Sequence, residues 1–101
     1  MNKPLHYRLR LYVSGATPRS KRAIENIKAI GEKHLRGNYE LEIIDAYQQE
    51  ELLRDQQIIV LPTLIKSLPG PLRRLVGDLS DEDKVMLGLG LVPEDDSDDP
   101  A

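Results

Sequence analysis

Residues 7–43 read as strand, break, helix, break, strand, and that order constrains the fold more than anything else in the chain. Tyr7, Leu9, Leu11 and Val13 alternate with Arg8, Arg10 and Tyr12, the period of two that puts one set of side chains on one face of a strand. Ser14-Gly15-Ala16-Thr17-Pro18 breaks the run. Thr17 offers a side-chain oxygen that can cap a helix, and Pro18 fits the first helical position because the N–H it lacks has no partner there. Ala23, Ile24, Ile27, Ile30 and Leu35 then recur at helical spacing. Arg36-Gly37-Asn38 closes the helix, since glycine tolerates the left-handed conformation of a C-terminal cap. A second alternation follows, with Tyr39, Leu41 and Ile43 inward and Glu40 and Glu42 outward. Two strands joined by one helix of this length lie parallel with a right-handed crossover, so the fold class is α/β.

The second half is less regular. Gln48 to Arg54 is compatible with a short helix. Ile58-Ile59-Val60 with Leu64-Ile65 reads as strand interrupted by Pro62, and Pro69-Gly70-Pro71 as a turn of restricted geometry. Leu72 to Val76 is too short for periodicity to decide between a hairpin strand and one helical turn. Ser80-Asp81-Glu82-Asp83 starts a helix, with carboxylates near the positive end of its dipole. The residues after it conflict with that start. Gly88 and Gly90 each cost a helix about 1 kcal/mol relative to alanine, and Val85, Leu87, Leu89 and Leu91 alternate with Met86, Gly88, Gly90 and Val92 as a strand does. Conflict between local preferences is typical of a functional or bistable segment.

At 101 residues the chain is one domain, expected over 1–93. It contains no cysteine, which excludes a disulfide framework, a thiolate nucleophile and a zinc-thiolate site. No window approaches the about 20 apolar residues of a membrane span, and the N-terminus lacks a signal-peptide core, so a soluble, cytoplasmic protein is expected. Residues 94–101 hold five of the 17 acidic side chains, leaving 14 basic against 12 acidic ones before them. This apolar-poor tail is expected to be disordered.

Catalytic chemistry is scarce. There is no phosphate-cradling loop, His6 and His34 have no second ligand at metal spacing, and no serine sits in a nucleophile elbow. Ser14 and Thr17 lack a visible activating base. No metal, no cofactor and no enzyme activity are expected. Two basic clusters remain, Arg19-Ser20-Lys21-Arg22 and Lys66 with Arg73-Arg74. Without aromatic platforms or a larger basic excess they do not indicate nucleic acid. Cations at the start of a helix oppose its dipole, which favours an acidic protein partner.

Three segments carry a family resemblance: Leu11-Tyr12-Val13-Ser14-Gly15-Ala16-Thr17-Pro18-Arg19-Ser20, Leu61-Pro62-Thr63-Leu64, and Arg73-Arg74-Leu75-Val76-Gly77-Asp78-Leu79-Ser80-Asp81. Over about residues 5–92 the chain resembles the KaiB family. That resemblance implies a metamorphic, non-enzymatic regulator. One state is a βαββααβ fold that assembles as dimers and tetramers. The other is a monomeric thioredoxin-like βαβαββα fold, which binds the N-terminal ATPase ring of KaiC, a hexameric ATPase and autokinase. It also implies indirect action on KaiA, on the phosphorylation state of KaiC, and on a histidine kinase with a thioredoxin-like sensor domain. Carried over residue by residue, Arg22, Lys66, Arg73 and Arg74 are the expected contacts to acidic KaiC surface. Ala16 and Arg19 fall roughly where thioredoxins hold their redox cysteines.

Pro62, Pro69, Pro71, Gly88 and Gly90 fall in the half that changes fold. Gly88 matches the family's switch-controlling glycine. Gly90 departs from the aspartate typical of cyanobacterial clock members, removing a charge and adding backbone freedom. Because X–Pro isomerisation takes on the order of tens to hundreds of seconds, switching is expected to be slow. The competing expectation is a redox-inactive thioredoxin-like adaptor or sensor module that binds another signalling protein.

Overall fold

The computed structural model describes residues 6–55, 57, 58 and 60–91. Its elements are β1 (Tyr7–Val13), α1 (Pro18–His34), β2 (Tyr39–Asp45), α2 (Glu50–Asp55), β3 (Thr63–Leu68), β4 (Arg73–Val76) and α3 (Glu82–Leu89). The order is therefore βαβαββα. The strands form one sheet in the order β2-β1-β3-β4, with β1 and β2 parallel and the other two pairs antiparallel.

The first half follows the sequence pattern closely. Thr17 caps α1 by accepting the Ser20 N–H, and Pro18 sits at the first helical position. The helix closes at Leu35, whose N–H reaches the Gly31 carbonyl, and Gly37 then takes φ 77°. Tyr7, Leu9, Leu11 and Val13 face α1 and pack on Ala23, Ile27, Ile30 and Leu35, with Leu64, Val85 and Leu89 completing this main core. The opposite face of the sheet has a smaller cluster of Tyr12, Ile44 and Ile65, partly covered by Leu53 of α2 and by Ile58 and Leu61.

Ile43 departs from expectation. The alternation puts it inward with Tyr39 and Leu41, yet it is 38% exposed. The reason is topological: β2 is an edge strand, and α1 does not extend over its outer border. Tyr39 and Leu41 are only half-buried there, whereas Ile44, on the other face, is fully covered.

The second half resolves the alternatives left by its pattern. Ile58 and Val60 are not strand; β3 begins only at Thr63 and extends through Leu68. Pro62 has no N–H to give a ladder, and the Thr63 hydroxyl instead donates to the Val60 carbonyl, holding a turn. Ile59 lies outside the described residues. Of the two readings for Leu72 to Val76, the hairpin holds, with β4 pairing back on β3 across Pro69-Gly70-Pro71. The bonds Leu61–Pro62, Leu68–Pro69 and Gly70–Pro71 are cis.

At 85–91 the helix wins over the strand. Asp81 caps α3 by accepting the Lys84 N–H, and Gly90 ends it in the left-handed region at φ 80°. The Leu91 N–H then bonds the Met86 carbonyl at 2.7 Å, a Schellman-type closure. Val85 and Leu89, one helical turn apart, are buried, while Leu87 is 59% exposed; a strand would have put all three on one face. Gly88 allows the helix to lie close on β4, because a Cβ there would stand 2.5 Å from Leu75 Cδ2. Val92 and the acidic tail 94–101 lie outside the described residues.

Candidate functional site

The start of α1, where the resemblance implies the positions of redox cysteines, is a closed set of hydroxyls. Ser20 is fully buried. Its Oγ accepts from the Thr17 hydroxyl at 2.9 Å and from the Ser14 N–H at 3.1 Å. Ala16 and Arg19 are exposed beside this group. Among the described residues no histidine or carboxylate bonds to these hydroxyls. His6 pairs with Glu40 and His34 with Glu82, each at 3.0 Å. Among the described residues no group of three or more His, Asp or Glu side chains gathers as a metal site.

Next to the α1 start lies a cleft of about 480 Å³ lined by Arg19, Arg74, Gly77, Ser80, Lys84 and Val85, with Asp78 and Asp81 also on its wall. Its carboxylates are already committed. Asp81 caps α3. Asp78 accepts the Ser80 N–H at 3.1 Å and the Arg22 Nε–H at 3.2 Å, while its carbonyl takes Asn26 Nδ2–H at 2.8 Å. The Ser80 hydrogen bonds, followed by the Arg22 guanidinium, hold the Asp78 carboxyl below the usual carboxylate range. The open capacity of the cleft is therefore cationic: Arg19, Arg74 and Lys84 have no ion-pair partner among the described residues.

The four expected contact residues are placed differently from one another. Arg22 borders this cleft through Asp78, with an exposed side chain. Arg73 and Arg74 are exposed neighbours on β4, and strand alternation sends them to opposite faces. Arg74 Nη1 donates to the Gln57 carbonyl at 3.3 Å on the α2 side. Arg73 faces a recess beside the last turn of α3. Lys66 is only 4% exposed. Its ammonium donates to the carbonyls of Pro69 and, at 2.9 Å, Pro71, so in this fold it fastens the hairpin tip rather than facing outward. Burial, and then the nearby Arg73, push its ammonium below the ordinary lysine value.

The structure thus puts Arg74 on the cleft wall and Arg22 against the Asp78 carboxylate of that wall, separates Arg73 from both, and withdraws Lys66. Two cleft residues were not among the expected contacts. Arg19 stands in the basic cluster that favours an acidic partner, but the residue-by-residue resemblance sets it at a cysteine position of thioredoxins and not among the contacts. Lys84 was overlooked, although its place three residues after the Asp81 cap already put it in the first turn of α3.

Comparison with known proteins supplies the family. A KaiB domain model matches residues 10–91. The chain is 49% identical over 86 residues to circadian clock protein KaiB3 of Synechocystis sp., covering 85% of this chain and 84% of that protein. It is 46% identical over 93 residues to the circadian clock oscillator protein KaiB of Synechococcus sp. strain RCC307, covering 92% and 84%. Among solved structures, the N-terminal domain of Synechococcus elongatus SasA superposes with a TM-score of 0.71 at 24% identity, over 89% of each chain. Chloroplastic thioredoxin z superposes with a TM-score of 0.70 at 15% identity, over 85% and 78%. Both likenesses bear on the fold, which is thioredoxin-like.

Proposed function

We propose, from the premise that this chain belongs to the KaiB family of circadian clock proteins, that it regulates a KaiC-type protein by binding the N-terminal ATPase ring in the fold described here. It does so without catalysis of its own. The observation that carries this reading is the element order βαβαββα, the order assigned to the partner-binding state of the family. In that order the cleft beside α1 presents Arg19, Arg74 and Lys84 with its own carboxylates already bonded. An acidic surface is the complement of such a cleft.

The same reading includes a second state. In it the residues after β2 refold, so that the whole chain reads βαββααβ, and the chain assembles as dimers and tetramers. The near balance of preferences at 85–91 supports this, since the helix there retains two glycines, one of them needed as its left-handed cap. Binding then draws on a fraction of the molecules, and apparent affinity falls by that fraction. Pro62, Pro69, Pro71, Gly88 and Gly90 are the proposed switch residues. Effects on KaiA and on a histidine kinase follow indirectly from occupancy of the ring, and the proposed setting is cytoplasmic.

A redox-inactive adaptor for another signalling protein is the second reading. It is favoured by the thioredoxin-like fold with Ala16 and Arg19 where thiols would stand. Co-precipitation with a KaiC homologue, with and without ATP, separates the two. Capture of the ring, reduced in Arg22→Ala and Arg74→Ala, is the expected result. Unchanged affinity in both variants would remove the assigned face, and no capture in either nucleotide condition would leave the adaptor reading.

A further inference from the structure

The cation–carboxylate pairs of this fold are unevenly distributed. Arg10 pairs with Glu42, Arg22 with Asp78 and Lys33 with Glu82. Along β4, however, Arg73 and Arg74 are adjacent, exposed, and without an acidic partner among the described residues. Strand β4 is also a border of the sheet, with no strand on its outer side. Guanidinium groups at consecutive positions of an open edge, one on each face, fit a carboxylate-rich, extended segment whose side chains alternate in the same way.

The chain itself supplies one. Glu94-Asp95-Asp96-Ser97-Asp98-Asp99 carries five carboxylates and no cation. The point from which it departs is fixed by α3, whose last turn and Gly90 border the same recess of about 240 Å³ as Arg73 and the hairpin tip. Leu91 is tied down there by its bond to Met86 and by packing on the main core. Glu94, three residues further on, reaches roughly 10 Å, and Asp99 roughly 27 Å. A four-residue strand spans about 13 Å. The segment is thus long enough to follow all of β4 from Arg73 to Val76, and it starts at the Arg73 end.

We propose that Glu94–Asp99 is an intramolecular ligand of the β4 edge, its carboxylates occupying Arg73 and Arg74 in the βαβαββα fold. A tether this short holds the acidic groups near the arginines at millimolar effective concentration. The segment therefore competes with any acidic partner for the same two side chains. That competitive consequence rests on the partner-binding reading above; the docking itself does not.

The absence of cysteine makes the test direct, because Ser97→Cys gives a unique site for a nitroxide label. Paramagnetic broadening of backbone amides is then measured in the full chain. Selective broadening at residues 72–76 is expected at low salt. It should vanish in about 0.5 M salt, where screening is nearly complete. It should also vanish when the five carboxyls become amides (E94Q, D95N, D96N, D98N, D99N), and in Arg73→Gln/Arg74→Gln. Broadening that is even over the surface, that centres elsewhere, or that survives the arginine substitutions overturns the proposal. So does broadening that appears only between labelled and unlabelled molecules mixed together, which assigns the contact to a second copy. In the partner arm, the amidated tail should bind the ATPase ring of a KaiC homologue about three- to tenfold more tightly, as expected if the free edge is a minor population. Broadening as expected with unchanged ring affinity overturns the competition alone. If neither form binds the ring, the partner-binding reading fails while the broadening still decides the docking.

Discussion

Replacing Lys66 by methionine separates an internal anchor from an external contact. Methionine nearly matches lysine in length and suits a site that is 4% exposed, so packing is largely kept. What disappears is the ammonium that donates to the Pro69 and Pro71 carbonyls at the hairpin tip. A hydrogen bond to a charged group contributes about 1.5–3 kcal/mol. Pro71 is exposed and Pro69 half-buried, so water recovers part of that loss, and methionine is spared the cost of burying a cation. The net destabilisation of this fold is then about 1–3 kcal/mol for the two bonds together. That corresponds to about five- to 150-fold in its population. Urea denaturation followed at the amides of Glu82–Leu89 reads the stability, and titration with a KaiC ring reads the affinity. Loss of affinity should match loss of stability, and Lys66→Arg should recover part of both. Unchanged stability with lost affinity would refute the anchor and return Lys66 to the partner surface.

Three further perturbations test other parts of the structure. Arg19→Ala and Lys84→Ala should each weaken ring binding several-fold in isothermal titration, with the thermal midpoint unchanged because neither side chain has an ion-pair partner among the described residues. Gly90→Ala forces a Cβ into the left-handed region at φ 80° and should cost this fold about 1 kcal/mol, read as a lower thermal midpoint of α3. Acidification should loosen the ties between α1 and the α3 segment. The Asp78 carboxyl is lowered by Ser80 and then Arg22, and that of Glu82 by His34 and then Lys33. A carboxyl lowered in the folded state stabilises the fold above its unfolded value, and that contribution is lost as pH falls through the folded value. The window therefore opens below the ordinary values of 3.8 and 4.5. In carbon-detected titration the two midpoints should fall below these ordinary values, and Asp78→Asn should flatten the stability profile there.

Legibility in the sequence followed how much of each element is decided locally. Residues 7–43 carry a strand period, a cap, a helical stripe and a left-handed closure in agreement with one another, so β1, α1 and β2 are readable in order and the β1–β2 pair as parallel. Ile43 was misread because the alternation identifies a face but not whether that face is covered at the border of a sheet. The region after residue 57 depends on tertiary contacts. Thr63 turns the chain through its hydroxyl, Gly88 admits Leu75, and Gly90 caps a helix that its neighbours' alternation opposes. None of these has a periodic signature. The basic residues are visible as a set, but their roles are not: the same charge is a hairpin fastener at Lys66, a clamp on Asp78 at Arg22, and a cation without an ion-pair partner among the described residues at Arg19 and Lys84. Charge is legible in sequence, whereas its prior commitment is a property of the fold.

In the proposed function the βαβαββα fold is the state that meets the partner. The most direct test of this is magic-angle-spinning NMR of the isotopically labelled chain bound to the ATPase ring of a KaiC homologue in the presence of ATP. Backbone shifts should report helix at Glu82–Leu89 and strand at Thr63–Leu68 and Arg73–Val76 in the complex. Strand shifts running through Leu87–Leu91 in the bound chain would contradict it.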